Sequence, residues 1–208
     1  MKTTFPQWLT LAREIYSLAQ AGLAYSQNDF DLERYRRLQA ISAEIITSQS
    51  TLEKEAVLAS FAMQAGYATP KVDVRGVVFR DGKILLVKEI TDGRWSLPGG
   101  WADLGHSPAE MVAREVREES GFQVRVEKLI AAINGNNLLQ PWEFYHAYKL
   151  VFLCTITGGA ATTSYETPSI DFFDPQALPP LSETRTPPRL ISEILAHLAD
   201  PQRPALFD

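Results

Sequence analysis

An α+β protein with a small all-α domain in front is what this sequence predicts, divided as residues 1–66 and 67–208. Three observations carry that prediction. Apolar residues recur at helical spacing through the first third of the chain, where no proline follows Pro6 until Pro70. The composition then changes at Gly66-Tyr67-Ala68-Thr69-Pro70, and β-rich runs punctuated by Asp-Gly turns follow. Among those runs stands one strongly signalled helix, with Ser107 ahead of it and Gly121 behind.

The elements follow in order. Trp8, Leu11, Ala12, Ile15, Leu18, Ala19 and Leu23 form one apolar stripe on a helix from about Pro6 to Ala24. Tyr35, Leu38, Ile41 and Ile45 form a second, for which Asp31 is the expected N-cap. Ser50 followed by Glu53 fits a capping box opening a third helix through about Gln64, with Gly66 as its stop. Val72–Phe79 reads as a strand, Asp81-Gly82 as a hairpin turn and Ile84–Val87 as the partner strand. Asp92-Gly93 is a second turn, leading into Trp95-Ser96-Leu97-Pro98-Gly99-Gly100. The signalled helix spans Pro108 to about Glu119, with Ser107 as N-cap, Pro108 at N1, Glu110 closing a capping box and Gly121 near the C-cap. Strands resume at Phe122–Val126 and Tyr148–Ile156. A last helix opens at Thr186-Pro187 and closes at Pro201.

Composition narrows the function. With 208 residues, 45% hydrophobic and 22% charged, the chain reads as an ordinary globular protein. A net charge of −5 argues against a nucleic-acid binder as partner. Cys154 is the only cysteine, which precludes an internal disulfide and suits a reducing compartment. No apolar run approaches membrane-spanning length, and Met1 to Trp8 lacks the layout of a signal peptide, so a cytoplasmic location is expected.

The chemistry concentrates between Gly100 and Phe122. Glu115, Glu118 and Glu119 are spaced i, i+3 and i+4, so they project from one helix face and repel one another. A hard divalent cation neutralises such a cluster, since Mg²⁺ takes carboxylate oxygens together with water and substrate phosphate. The three acids can ligate one ion or share several. A bare Glu-x-x-Glu-Glu is more often just a solvated face. The surroundings overturn that reading: Gly100, Arg114, Glu115, Glu118, Glu119 and Gly121 together match a pattern whose chance rate per window is on the order of 10⁻⁷.

From Gly100 to Phe122 the sequence resembles the box of the Nudix hydrolase family, Gly-x5-Glu-x7-Arg-Glu-hydrophobic-x-Glu-Glu-x-Gly-hydrophobic. It departs once, with His106 where the first Glu belongs. The resemblance implies a Nudix α/β/α sandwich with a mixed sheet. It also implies Mg²⁺ or Mn²⁺ held at Gly100, Glu115, Glu118 and Glu119, and substrate contact along Gly99, Gly100 and Trp101. In the family the missing Glu commonly pairs with the arginine at the position of Arg114. His106, when neutral, can accept one hydrogen bond from Arg114 instead. Histidine suits softer metals, so His106 is not expected as an added ligand.

The N-terminal helices, Thr69–Arg75, Trp95–Trp101, Phe172-Phe173 and Leu178-Pro179-Pro180-Leu181-Ser182 are similar to a Nudix subgroup that has an N-terminal helical domain. That subgroup includes CDP-choline pyrophosphatases and ADP-ribose pyrophosphatases. The implied reaction is Mg²⁺-dependent cleavage of a nucleoside diphosphate linked to X, giving a nucleoside monophosphate and phospho-X. Glu118 and Glu119 from the box and Glu166 from a later loop are the catalytic candidates. Arg75 and Lys88 on the first hairpin are candidate phosphate clamps, because guanidinium and ammonium both suit that task. Trp101 is a candidate stacking residue, whereas Trp95 is read as core. Loops at Asn134–Asn137 and Trp142–His146 are expected to shape the pocket. The short helical domain is expected to serve dimerisation or substrate capping, and a homodimer is the expected assembly. The competing readings are a non-catalytic Nudix-fold nucleotide sensor, which the three intact glutamates oppose, and an RNA-end nuclease, which the acidic balance opposes.

Overall fold

The computed structural model describes residues 6–62, 66–135 and 146–208. Its contacts divide into two compact units, Met1–Thr69 and Pro70–Asp208. The first unit holds α1 (Gln7–Tyr25), α2 (Asp29–Ser48) and α3 (Lys54–Ala62). Leu9, Ala12, Tyr16 and Ala19 on α1 and Ala43 and Ile46 on α2 are buried, as are Val57 and Phe61 on α3. The rings of Tyr16 and Phe61 lie 4.2 Å apart. Gly22 explains a glycine inside a helix: a Cβ there would sit 2.4 Å from the Tyr35 ring of α2. Two helix starts differ from the sequence reading. Asn28, not Asp31, caps α2, because its side chain accepts from the backbone N–H groups of Phe30 and Asp31. The box expected at Ser50 does not form: Ser50 accepts from Leu52 N and α3 begins only at Lys54. The expected end near Gln64 lies outside the described residues.

The second unit contains β1 (Lys71–Arg80), β2 (Lys83–Lys88), β3 (Trp95–Ser96), β4 (Gly99–Trp101), α4 (Pro108–Ser120), β5 (Phe122–Asn134), β6 (Ala147–Gly159), β7 (Ser169–Phe173), α5 (Pro188–Ala199) and β8 (Leu206–Phe207). The sheet runs β3-β2-β1-β6-β5-β8, with β4 added on β1 and β7 on β2. It is mixed: β1/β6 and β5/β8 are parallel and the other pairs antiparallel. Asp81 and Gly82 have φ of 52° and 77°, the left-handed pair that a two-residue hairpin turn needs.

Alternation along the strands builds two apolar layers. Val74, Val78 and Leu85 pack with Met111, Val112 and Val116 of α4, while Val77, Ile84 and Leu86 pack with Leu190, Ile191 and Ile194 of α5. The result is the predicted α/β/α sandwich. Gly76 lets α4 approach β1, since a Cβ there would lie 2.4 Å from Val116 Cγ2. β5 runs well beyond the expected Val126 because register shifts at Val126/Lys128 and Leu129/Ala131 interrupt the two-residue alternation by which a strand is read. Among the described residues no helix is long and apolar enough to cross a membrane.

Candidate active site

The site is assembled on β1. Its register sets Asp73 beside Trp101 of β4 and Lys149 of β6, and Arg75 beside Gly99. All three charged residues are buried. Asp73 accepts from Arg75 Nε at 3.0 Å, Arg75 Nη2 at 2.8 Å and Lys149 Nζ at 2.8 Å. Arg75 Nη1 donates to Leu97 O at 3.1 Å. Burial works against the Asp73 carboxylate, but Arg75 and Lys149 hold it below the usual range. Burial likewise opposes the charge of Arg75, and Asp73 raises its pKa above the ordinary value.

Helix α4 brings the acids to this wall. Ser107 accepts from Glu110 N and Glu110 caps Ser107 N in return, closing the predicted box. Gly121 ends the helix at φ 77°, where a Cβ would also strike Ala160 O. Between those caps the three glutamates take different environments. Glu119 is buried and accepts from Gly99 N at 2.8 Å. Burial pushes its pKa up to about 8, with Arg75 and the Gly99 N–H opposing and Glu89 and Glu115 reinforcing. Glu115 is raised by burial and then by Glu118. A Cβ on Gly100 would lie 3.2 Å from Glu115 Oε2, so a glycine lets the loop backbone sit directly on that carboxylate. Glu118 points elsewhere. It is half-exposed and accepts from Arg114 Nε at 2.8 Å.

Arg114 does not use the histidine expected as its partner. Its Nη1 donates to Asp103 at 3.1 Å, so Asp103 supplies the carboxylate from within the same loop, and His106 is exposed.

These residues surround a cavity of about 370 Å³. Gly99, Gly100, Trp101, Glu115 and Glu119 line it with Asp73, Arg75 and Lys149, and Glu89, Gly135, Ala147, Glu166, Thr184 and Arg185 complete the wall. Glu166 is carried by a loop tied to α4, where Thr167 Oγ1 donates to Glu119 O at 2.8 Å, and to the segment after β2, where Ile90 N donates to Glu166 O at 3.0 Å. One expected residue is elsewhere, and Trp95 is core as read. Lys88, paired with Trp95 and Ser169 across its strand, is not part of the cavity wall. Trp95 packs edge-on against Phe173 at 4.6 Å, as a core residue. Of the expected pocket loops, Gly135 reaches the cavity and residues 136–145 lie outside the described part.

Sequence reasoning missed Asp73, Glu89, Lys149, Thr184 and Arg185. A signal existed for two of them. Asp73 and Lys149 are charges set inside otherwise apolar strand runs, which is unusual unless they pair.

The donor set suits a hard cation: carboxylate oxygens line a cleft where Glu115 and Glu119 are both pushed towards protonation. Among the described residues no three Asp, Glu, His or Cys side chains are arranged to hold a metal as they stand.

A buried and a half-buried helix carboxylate share this cleft with fixed cations, and with the chain's family they mark a hydrolase of phosphoanhydride bonds acting on a diphosphate-linked, nucleotide-like substrate. The chain belongs to the Nudix family: the NUDIX domain model matches residues 69–194, and a "UDP-X-like, N-terminal oligomerisation domain" matches residues 6–61. It is 41% identical over 202 residues to "Putative ADP-ribose pyrophosphatase YjhB" of Bacillus subtilis (strain 168), covering 97% of each chain. Two crystal structures are similar. An ADP-ribose pyrophosphatase from Streptococcus suis 89-1591 matches with a TM-score of 0.62 at 34% identity, covering 67% of this chain and 100% of its own. A UDP-X diphosphatase matches with a TM-score of 0.63 at 31% identity, covering 100% of both chains.

Proposed function

We propose that this protein is a Mg²⁺-dependent pyrophosphohydrolase, Mn²⁺ serving in its place, that splits a nucleoside diphosphate linked to X into a nucleoside monophosphate and phospho-X. The observation that carries this is the cavity in which Glu115 and Glu119 face Arg75, Lys149 and Arg185. Glu115, Glu118, Glu119 and the Gly100 carbonyl would hold the metal. When bound it supplies neutralisation of the acids, polarisation of a phosphoryl oxygen and activation of the attacking water.

The chain's own residues do the rest. Glu166, exposed on its loop, takes the proton of the water that attacks phosphorus, and the bridging P–O bond breaks to release the second product. Glu119 and Glu118 complete the catalytic set. Arg75, held rigid by Asp73 and Leu97 O, provides a fixed positive charge beside the diphosphate and needs no reorganisation as charge builds. Gly99 and Gly100 keep the loop close enough for its backbone to meet phosphate. Trp101, 47% exposed at the cavity edge, offers its ring to the base or to X. Lys88 has no part in this reading.

ADP-ribose, UDP-linked and CDP-choline-type conjugates are the substrates to test, the first two supported by the names of the similar proteins. A panel of ADP-ribose, a UDP-sugar, CDP-choline, NADH and capped RNA, with Mg²⁺ or Mn²⁺ and products read by mass, ranks them. Glu118→Gln removes a ligand charge and little volume, so metal-dependent turnover drops at least about 100-fold with an unchanged circular dichroism spectrum. Wild-type turnover in that variant overturns the metal set.

A further inference from the structure

Between β7 and α5 the chain crosses the end of β3 in a short strap, Leu181–Thr186, that has no helix or strand of its own but is held firmly. Trp95 N donates to Pro180 O at 3.0 Å and Ser182 N to Trp95 O at 2.7 Å. Ser182 Oγ donates to Asp92 at 2.7 Å, and Leu97 N donates to Thr186 Oγ1 at 2.8 Å. Thr186 N closes the turn on Ser182 O at 2.7 Å. Ser182 and Thr186 are both wholly buried. Surface connections rarely bury this many polar groups, so the strap is built to hold its crest in place. That crest presents Thr184 and Arg185 to the cavity.

Three cations line the cavity, and they are committed differently. Arg75 is buried and spends Nε and Nη2 on Asp73 and Nη1 on Leu97 O. Lys149 is buried against Asp73. Arg185 keeps 29% of its side chain exposed; Nη2 donates to Thr91 at 3.0 Å, but its other contacts are longer, Nε 3.3 Å to Glu89 and Nη1 3.4 Å to Ser182 and 3.6 Å to Asp92. The Glu89 carboxylate is itself fixed, accepting from Ser96 Oγ at 2.5 Å. A guanidinium oriented through Nε by a fixed carboxylate and through Nη2 by a threonine hydroxyl, with Nη1 only loosely engaged at the rim, has a donor to offer phosphoryl oxygens.

We propose that Arg185 is a diphosphate-binding residue, delivered to the cavity by the strap and aimed by Glu89. This rests on the reading that a nucleoside diphosphate occupies the cavity. Nη1 exchanges Asp92 and Ser182 for a substrate oxygen while Nε stays on Glu89 and Nη2 on Thr91.

The test is binding without turnover, on the full chain with Mg²⁺ present. NMR titration measures the affinities of ADP and UDP, and of adenosine and uridine, for wild type, Arg185→Gln, Arg185→Lys and Arg94→Gln. Arg94 contacts the same strap at Leu181 O but does not line the cavity, so its variant controls for damage to the strap. The expected result is at least about tenfold weaker diphosphate binding in Arg185→Gln, with nucleoside binding unchanged. Arg185→Lys should fall between, and Arg94→Gln should match wild type. Unchanged diphosphate affinity in Arg185→Gln overturns the assignment. So does a loss shared by nucleosides, or by Arg94→Gln. A wild type that hydrolyses the conjugates while Arg185→Gln binds normally removes the arginine's role alone. A wild type that binds neither diphosphate removes the assignment together with its premise.

Discussion

Arg114 occupies the motif's arginine position and still meets a carboxylate, although the motif's own carboxylate is missing. Asp103, three residues before His106, supplies it at 3.1 Å, and the other side of the guanidinium holds Glu118. The loop-to-helix support therefore survives by a change of partner. This alters what repairing the motif would do. With Arg114 already engaged and Glu110 on the same helix end, His106→Glu adds a like charge to an acidic neighbourhood and gains no buried contact. Its melting temperature is expected within about 2 °C of wild type, because exposed ion pairs contribute little. A thermal melt checks it, and a large increase would show that Arg114 prefers position 106.

At the scale of the element, α4 and α5 sit on opposite faces of one sheet but differ in tension. α4 is capped at both ends, and Gly76 leaves room for its approach to β1. α5 carries a cost in its last turn. His197 is 3% exposed, and neither ring nitrogen has a hydrogen-bond partner among the described residues. Burial lowers its pKa; Lys128 and Arg203 act in the same direction, and Glu193 and Asp200 oppose them. A base with a folded pKa below its unfolded value of about 6.5 binds more protons when unfolded. Its contribution is therefore present above pH 6.5 and lost as pH falls through the lower folded value. Stability should decline from pH 7 to pH 5 more steeply in wild type than in His197→Leu, as read by denaturant midpoints at each pH. Parallel profiles would rule out the histidine as the source.

At the scale of the whole molecule, α1 carries more apolar surface than its own unit covers. Beside the buried Leu9, Ala12, Tyr16 and Ala19, one residue round the helix, run half-buried Trp8 and Ile15 with exposed Leu11, Leu18 and Tyr25, the last two 61% and 73% exposed. An apolar stripe of this kind on a matched oligomerisation domain is best covered by a second copy. Light scattering is expected to give about twice the chain mass of 23.2 kDa, and Leu11→Glu with Leu18→Glu is expected to halve it by burying charge at the contact. A wild-type monomer at micromolar concentration would remove the dimer.

The local pattern of the chain was enough to find α4, its caps, the Asp81-Gly82 hairpin and the spacing that sets Glu115, Glu118 and Glu119 on one helix. Each of these depends on neighbours a few residues apart, where backbone geometry leaves little choice. The cap of α2 and the length of β5 were harder to read, since side-chain competition and strand bulges both defeat simple spacing. What only the tertiary structure decided is which carboxylate meets what. Three glutamates on one turn become a buried acid on Gly99, a half-buried acid under Gly100 and an exposed partner of Arg114. The cavity's other wall comes from residues up to 112 positions apart, from Asp73 to Arg185. Strand register and the strap bring them together, and no local spacing encodes either, because both are set by packing across the sheet.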